Sequence, residues 1–132
     1  MNEVILSVRN LSKVFNAGKP DELTAVDNIS FDLAAGECLG IIGESGSGKT
    51  TLVNMITRLL DPTEGTIILC GEDITQLKGS ALKPAYRKMQ MVFQMPVQSF
   101  DPRKKLGYSI GESLRNAGMP SGEAYKESIR LL

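Results

Sequence analysis

Histidine is absent from all 132 residues. That removes the commonest general base and the commonest zinc ligand. Cysteine is scarce. Its two copies, Cys38 and Cys70, each sit in an apolar run, Cys38-Leu39-Gly40-Ile41-Ile42 and Ile67-Ile68-Leu69-Cys70. A disulfide or a metal site is one reading of the pair. With no other ligands clustered nearby, the expected state is two buried thiols in adjacent strands. No apolar run approaches the ~20 residues needed to cross a bilayer. The start, Met1-Asn2-Glu3, lacks the basic and apolar regions of a secretory signal. The expectation is a cytosolic chain that meets a membrane only through a partner. Net charge is lacking too: fifteen basic residues cancel fifteen acidic ones. Charge therefore gives no argument for nucleic acid or a membrane surface as partner.

Hydrophobic residues make up 42% of the chain and charged residues 23%, a globular balance. The length suits one domain or a piece of a larger one. Val4, Leu6 and Val8 alternate with Ile5, Ser7 and Arg9 and predict a strand with one buried face. Asn16 to Asp21, with Gly18 and Pro20, predicts a loop. Ile29, Phe31 and Leu33 predict a second half-buried strand. Cys38 to Ile42 is continuously apolar, the pattern of a strand covered on both faces. After a glycine-rich stretch, Leu52, Val53, Ile56, Leu59 and Leu60 recur at helical spacing, up to a stop at Asp61-Pro62. Thr66 to Cys70 and Met89 to Phe93 predict further strands, with a short helix from Ser80 between them. Gln94 to Arg103 predicts a loop. Ile110, Leu114 and Ala117 predict one helix, and Ala124, Tyr125, Ser128, Ile129 and Leu132 another. The order is that of an α/β domain whose C-terminal part lies beyond Leu132.

Gly43-Glu44-Ser45-Gly46-Ser47-Gly48-Lys49-Thr50 matches the P-loop pattern G-x-x-x-x-G-K-[ST] at every fixed position. Each position has a chemical reason. The loop must wrap a polyphosphate with backbone N–H groups, and Gly43, Gly46 and Gly48 keep side chains out of the approach. The helix that follows points its unpaired N–H groups at the phosphates. Lys49 places a compact charge between the β- and γ-phosphates. Thr50 offers a hydroxyl to Mg²⁺. Chance matches arise on the order of a few per thousand chains of this length, and here the motif also follows an apolar run and opens a helix. Ser45 and Ser47 do not suggest a nucleophile, because no histidine exists to activate them. The implied ligand is a nucleoside triphosphate with Mg²⁺, ATP foremost.

The stretch Leu39 to Leu52 resembles the ATP-binding subunits of ABC transporters. So do Leu11-Ser12-Lys13-Val14-Phe15, Ala25 to Phe31, and Asp61-Pro62-Thr63-Glu64-Gly65-Thr66-Ile67. Met89 to Gln94 is similar to that family's Q-loop strand, and Ser99-Phe100-Asp101-Pro102-Arg103 to the subgroup serving oligopeptide, dipeptide and nickel importers. The resemblance implies a fold, a P-loop NTPase with a RecA-like α/β core and an N-terminal antiparallel β layer, truncated in the helical subdomain. On it, residues 1–37 form the β layer, 38–94 the P-loop core to the Q-loop, and 95–132 the start of the helical subdomain.

Residue by residue, the resemblance assigns Gly43, Glu44, Ser45, Gly46, Ser47, Gly48, Lys49, Thr50 and Thr51 to the nucleotide. It assigns Phe15 to adenine, where the family usually has tyrosine. Taken alone, Phe15 reads as a core residue; its place in the pattern reverses that. Gln94 matches the residue that reaches Mg²⁺ and the attacking water, so Lys49 and Gln94 are the candidate catalytic groups, and Thr50 and Gln94 the candidate metal ligands. Met95 departs from the family, where an acidic residue commonly follows the glutamine. The implied partners are a second ATP-binding subunit, identical or different, and transmembrane permease subunits on the inner face of the plasma membrane, with no nucleic acid. The family's signature motif, acidic pair and switch histidine would lie beyond Leu132. The expectation is a chain that grips ATP while its parent protein hydrolyses it to drive import of peptides or a related small solute. A soluble ABC-type ATPase of nucleic-acid repair or translation, and a non-hydrolysing nucleotide-binding fragment, are the competing readings.

Overall fold

The computed structural model describes residues 2–132. They form two compact units, one ending at Ala85 and one spanning Tyr86–Leu132.

The first unit is built on two long strands, β1 (Val4–Phe15) and β2 (Leu23–Ala34), joined by the loop that Gly18 and Pro20 predict. β1 lies inside the sheet. β2 pairs with one edge, and β3 (Glu64–Leu69) with the other, followed by the two-residue β4 (Glu72–Asp73), all antiparallel. Val8 and Leu11 are both fully buried although three residues apart. Strict alternation would put them on opposite faces. A bulge between them resets the phase: the register shifts between Val8 and Leu11, and Asn10 takes a positive φ of 48°. The bulge is secured across the ladder by the Asn10 amide, which donates to the Asn28 side-chain oxygen at 2.7 Å. One face of the sheet thus buries Val8, Leu11 and Ile67, and helix α1 (Lys49–Ile56), which packs on β2, buries Leu52 and Met55.

α1 ends earlier than the apolar spacing predicts. Arg58 adopts φ 59°, a left-handed conformation that terminates a helix. Its buried guanidinium bonds the Asp61 carboxylate at 2.7 Å and the carbonyls of Leu60 and Leu77. These contacts hold the chain in a turn, and Leu59, expected on the helix's apolar stripe, is 54% exposed. A 3₁₀ turn (Gly79–Leu82) then leads into helix α2 (Lys83–Lys88), in which the first unit ends.

Two predicted strands are not found. Cys38 to Ile42 and Met89 to Phe93 belong to no ladder among the described residues. Ile42 is 97% exposed and Val92 88%. An apolar run supplies the side chains of a buried strand, but the ladder needs neighbouring strands to accept its hydrogen bonds, and none runs beside either segment among the described residues. The cysteine expectation changes with it: Cys38 and Cys70 are both free and exposed. Cys70 falls just past β3, at φ 48° in the turn to β4.

After the end of α2 and a 3₁₀ turn (Pro96–Ser99), the second unit holds, among the described residues, the α-helices α3 (Leu106–Ile110), α4 (Glu112–Asn116) and α5 (Ser121–Leu131). The single helix predicted around Leu114 is split at Gly111. A methyl group at Gly111 would lie 2.7 Å from the hydroxyl oxygen of Ser128. α5 buries its small residues there, Ala124 and Ser128, and leaves Tyr125 and Ile129 more than half exposed. Among the described residues no helix is long and apolar enough to cross a membrane.

Candidate functional site: a phosphate loop on an uncapped helix

Gly43 to Gly48 forms an open loop that delivers the chain to α1. Gly48 is the N-cap of that helix, with φ 90° and ψ 5°, and among the described residues no side chain makes a capping hydrogen bond to the helix N-terminus. No acidic residue lies in the first turn. Both devices that usually satisfy orphan N–H groups are therefore missing, which leaves donors and the positive end of the helix dipole for an anion. Gly48 is also sterically required. A Cβ there would sit 2.1 Å from the Ala25 carbonyl oxygen. β2 thus supports the loop from beneath by close backbone approach. At Gly43, an added Cβ would lie 2.5 Å from the Ser47 hydroxyl oxygen, so the loop's two ends also press together.

The Lys49 ammonium folds back over the loop. It donates to the carbonyls of Gly43 at 2.7 Å and Glu44 at 2.5 Å, and to the Ser47 hydroxyl at 3.1 Å. The charge is thereby held against the same backbone that would wrap a polyphosphate. Glu44, Ser45, Gly46 and Thr50 are exposed, and Thr51 half-buried one residue further along α1. A cavity of about 260 Å³ opens beside the loop, walled by Ala25, Val26, Asp27, Gly43, Ser47 and Lys49. Among the described residues no group of three or more His, Cys, Asp or Glu side chains is placed to cage a metal ion. The exposed Thr50 hydroxyl is a hard oxygen donor, and Mg²⁺ is commonly held by few protein oxygens together with waters and phosphate oxygens.

Phe15 is the last residue of β1, opposite Leu23, and half-buried. The Lys13 ammonium stands 5.2 Å from its ring centroid. The same ammonium donates to the Asp61 carbonyl at 2.7 Å. The Asp61 carboxylate is itself held by Arg58 and faces Lys78 at 3.7 Å. The Arg58 hydrogen bond holds its pKa below the usual carboxylate value, with smaller help from the charges of Arg58, Lys78 and Lys13. Sequence reasoning passed over Lys13 and Ala25. The i, i+2 spacing of Lys13 and Phe15 was a usable signal for the first; nothing in the sequence marks a carbonyl.

Gln94 is exposed, in a bend of the second unit after Phe93. That unit has its own cleft, of about 520 Å³, walled mainly by apolar groups including Val92, Phe93 and Phe100. Glu112 is the one charged residue on its wall among the described residues.

The chain as a whole is similar to known proteins. Residues 26–126 match the family model described as ABC transporter. The chain is 43% identical over 137 aligned positions to the glutathione import ATP-binding protein GsiA of Salmonella paratyphi A, covering 98% of this chain and 22% of the relative. It is 41% identical over 115 positions to a putative peptide import ATP-binding protein of Brucella ovis, covering 87% of this chain and 36% of the relative. The chain thus spans about a fifth to about a third of the length of these relatives. The fold superposes with a TM-score of 0.81, at 26% identity, on the ATP-binding cassette MJ0796, solved as a dimer bound to ADP and Pi, over 95% of this chain and 54% of that one. The expected fold class, a P-loop NTPase cassette with an antiparallel β layer, is borne out by that match. With the family model covering most of its length, this chain belongs to the ABC transporter family.

Proposed function

We propose that the chain binds ATP with Mg²⁺ at Gly43 to Thr51 and serves as part of the ATPase subunit of an importer for peptides or a related small solute such as glutathione. The observation that carries the reading is the loop itself: an uncapped helix N-terminus, a lysine clasped over the loop backbone, and a strand carbonyl that admits only glycine at position 48. Lys49 faces the β- and γ-phosphates and Thr50 supplies an oxygen to Mg²⁺. Phe15 stacks on adenine, since a flat apolar ring complements the face of a base. Gln94 belongs to the proposal through the family resemblance, and its own substitution tests it separately. The solute is suggested by the printed names of the two relatives. In the whole protein, ATP hydrolysis would drive transport, a second ATP-binding subunit would complete a dimer, and permease subunits would hold the assembly at the inner face of the membrane. The cleft beside Phe93 and Phe100 supports the last point, being an apolar surface of a size that takes side chains of a partner segment.

The test is calorimetric titration with Mg²⁺-ATP. Lys49→Ala removes a charged hydrogen-bond donor, an interaction of roughly 1.5–3 kcal/mol, so affinity should fall about ten- to a hundredfold. Equal affinity in the variant would remove Lys49 from the site.

A further inference from the structure

We propose that Lys13 is a positioning residue for the nucleotide base: its ammonium closes one face of the Phe15 ring and leaves the opposite face as the stacking surface. The inference rests on the reading of Phe15 as the residue that meets adenine. Three observations carry it. The Lys13 ammonium lies 5.2 Å from the Phe15 centroid, inside the ~6 Å range of a cation–π contact. It is fixed from a second direction by the Asp61 carbonyl at 2.7 Å, so it is no freely swinging surface lysine. Asp61, in turn, is fastened to the buried Arg58 in the turn after the P-loop helix. The ring at the end of β1 is therefore tied, through one ammonium, to the turn that closes α1.

The consequence is both geometric and electronic. Phenylalanine has no polar handle, so only packing fixes its tilt. A cation docked on one face limits how far the ring can turn and denies that face to the base. It also draws π density toward itself, which makes the open face a better complement to an electron-rich adenine ring. Arginine can make the same contact; methionine keeps the length and loses the charge.

The experiment compares Mg²⁺-ATP with Mg²⁺-tripolyphosphate, which presents phosphates and no base, by calorimetry on the full chain and on Lys13→Met, Lys13→Arg and Phe15→Ala. Lys13→Met should weaken ATP about two- to fivefold, the factor of an exposed cation–π contact. Tripolyphosphate affinity should stay unchanged, and Lys13→Arg should restore ATP binding. The double variant Lys13→Met/Phe15→Ala should bind ATP no more weakly than Phe15→Ala alone. If Lys13→Met weakens both ligands equally, Lys13 acts through the Asp61 turn and the proposal is overturned. If Phe15→Ala lowers the ratio of ATP to tripolyphosphate affinity and Lys13→Met does not, the proposal fails while the stacking role of Phe15 stands. An unchanged ratio in Phe15→Ala overturns both.

Discussion

Two glycines in the phosphate loop separate backbone conformation from close approach. Gly46 has φ 80° and nothing within 4 Å of where a Cβ would be; Gly48 has φ 90° and the Ala25 carbonyl oxygen 2.1 Å away. Alanine at either position must hold a left-handed conformation, which costs roughly 1–2 kcal/mol. At Gly46 nothing is added. At Gly48 the methyl group collides with backbone, which cannot swing aside as a side chain can. Either β2 or the start of α1 must move, with the cost of overpacking, typically about 1–3 kcal/mol. Gly46→Ala should therefore lose about 1–2 kcal/mol of stability and Gly48→Ala about 2–5 kcal/mol. Urea denaturation followed by far-ultraviolet circular dichroism measures both, provided the slope of free energy against denaturant is unchanged. The same displacement should misalign the first-turn N–H groups, so Gly48→Ala should also lose ATP affinity. Equal destabilisation of the two variants would mean that β2 does not support the loop at Ala25, and the account of the site's foundation would be wrong.

Met55 is fully buried where α1 meets the sheet. Met55→Ala should destabilise by about 2–5 kcal/mol, and a loss under about 1 kcal/mol in the same urea assay would place α1 off the sheet. The Asp61 carboxyl is held below its usual pKa chiefly by the Arg58 hydrogen bond. Its folded value thus lies under the unfolded value of about 3.9. The stability it contributes is complete above that unfolded value and is lost as pH falls through the folded one. Melting temperatures measured down through the acidic range should drop less steeply for Asp61→Asn than for the parent; parallel curves would refute the link.

The phosphate loop was legible because its chemistry is written in residue types. Only glycine tolerates the backbone there, only lysine gives a compact charge, and the spacing is fixed by the turn into a helix. Phe15 was singled out by its position in a pattern, and the structure places it at the end of β1, half-buried. The Asn10 bulge was not, since alternation from Val4 to Val8 gives no warning that Leu11 returns to the same face. Nor was the early end of α1. Leu59 and Leu60 continue the helical spacing, and only the three-dimensional grip of Arg58 on Asp61, Leu60 and Leu77 diverts the chain.

The run from Cys38 to Ile42 shows the limit most plainly. Its hydropathy reads as a strand covered on both faces, yet Leu39, Ile41 and Ile42 are exposed and no described strand pairs with them. Hydropathy reports what a segment can bury; a strand is made by the neighbours that accept its hydrogen bonds. The loop that follows is held here by other contacts. Its shape comes from Lys49 bonding back to Gly43 and Glu44, from the close approach of Gly48 to Ala25, and from the anchoring of α1 through Leu52 and Met55. All of these are contacts between the loop, its helix and the antiparallel sheet. The phosphate loop is therefore set by the β1–β2 sheet and α1, and its geometry stands while the apolar segment leading into it lies uncovered.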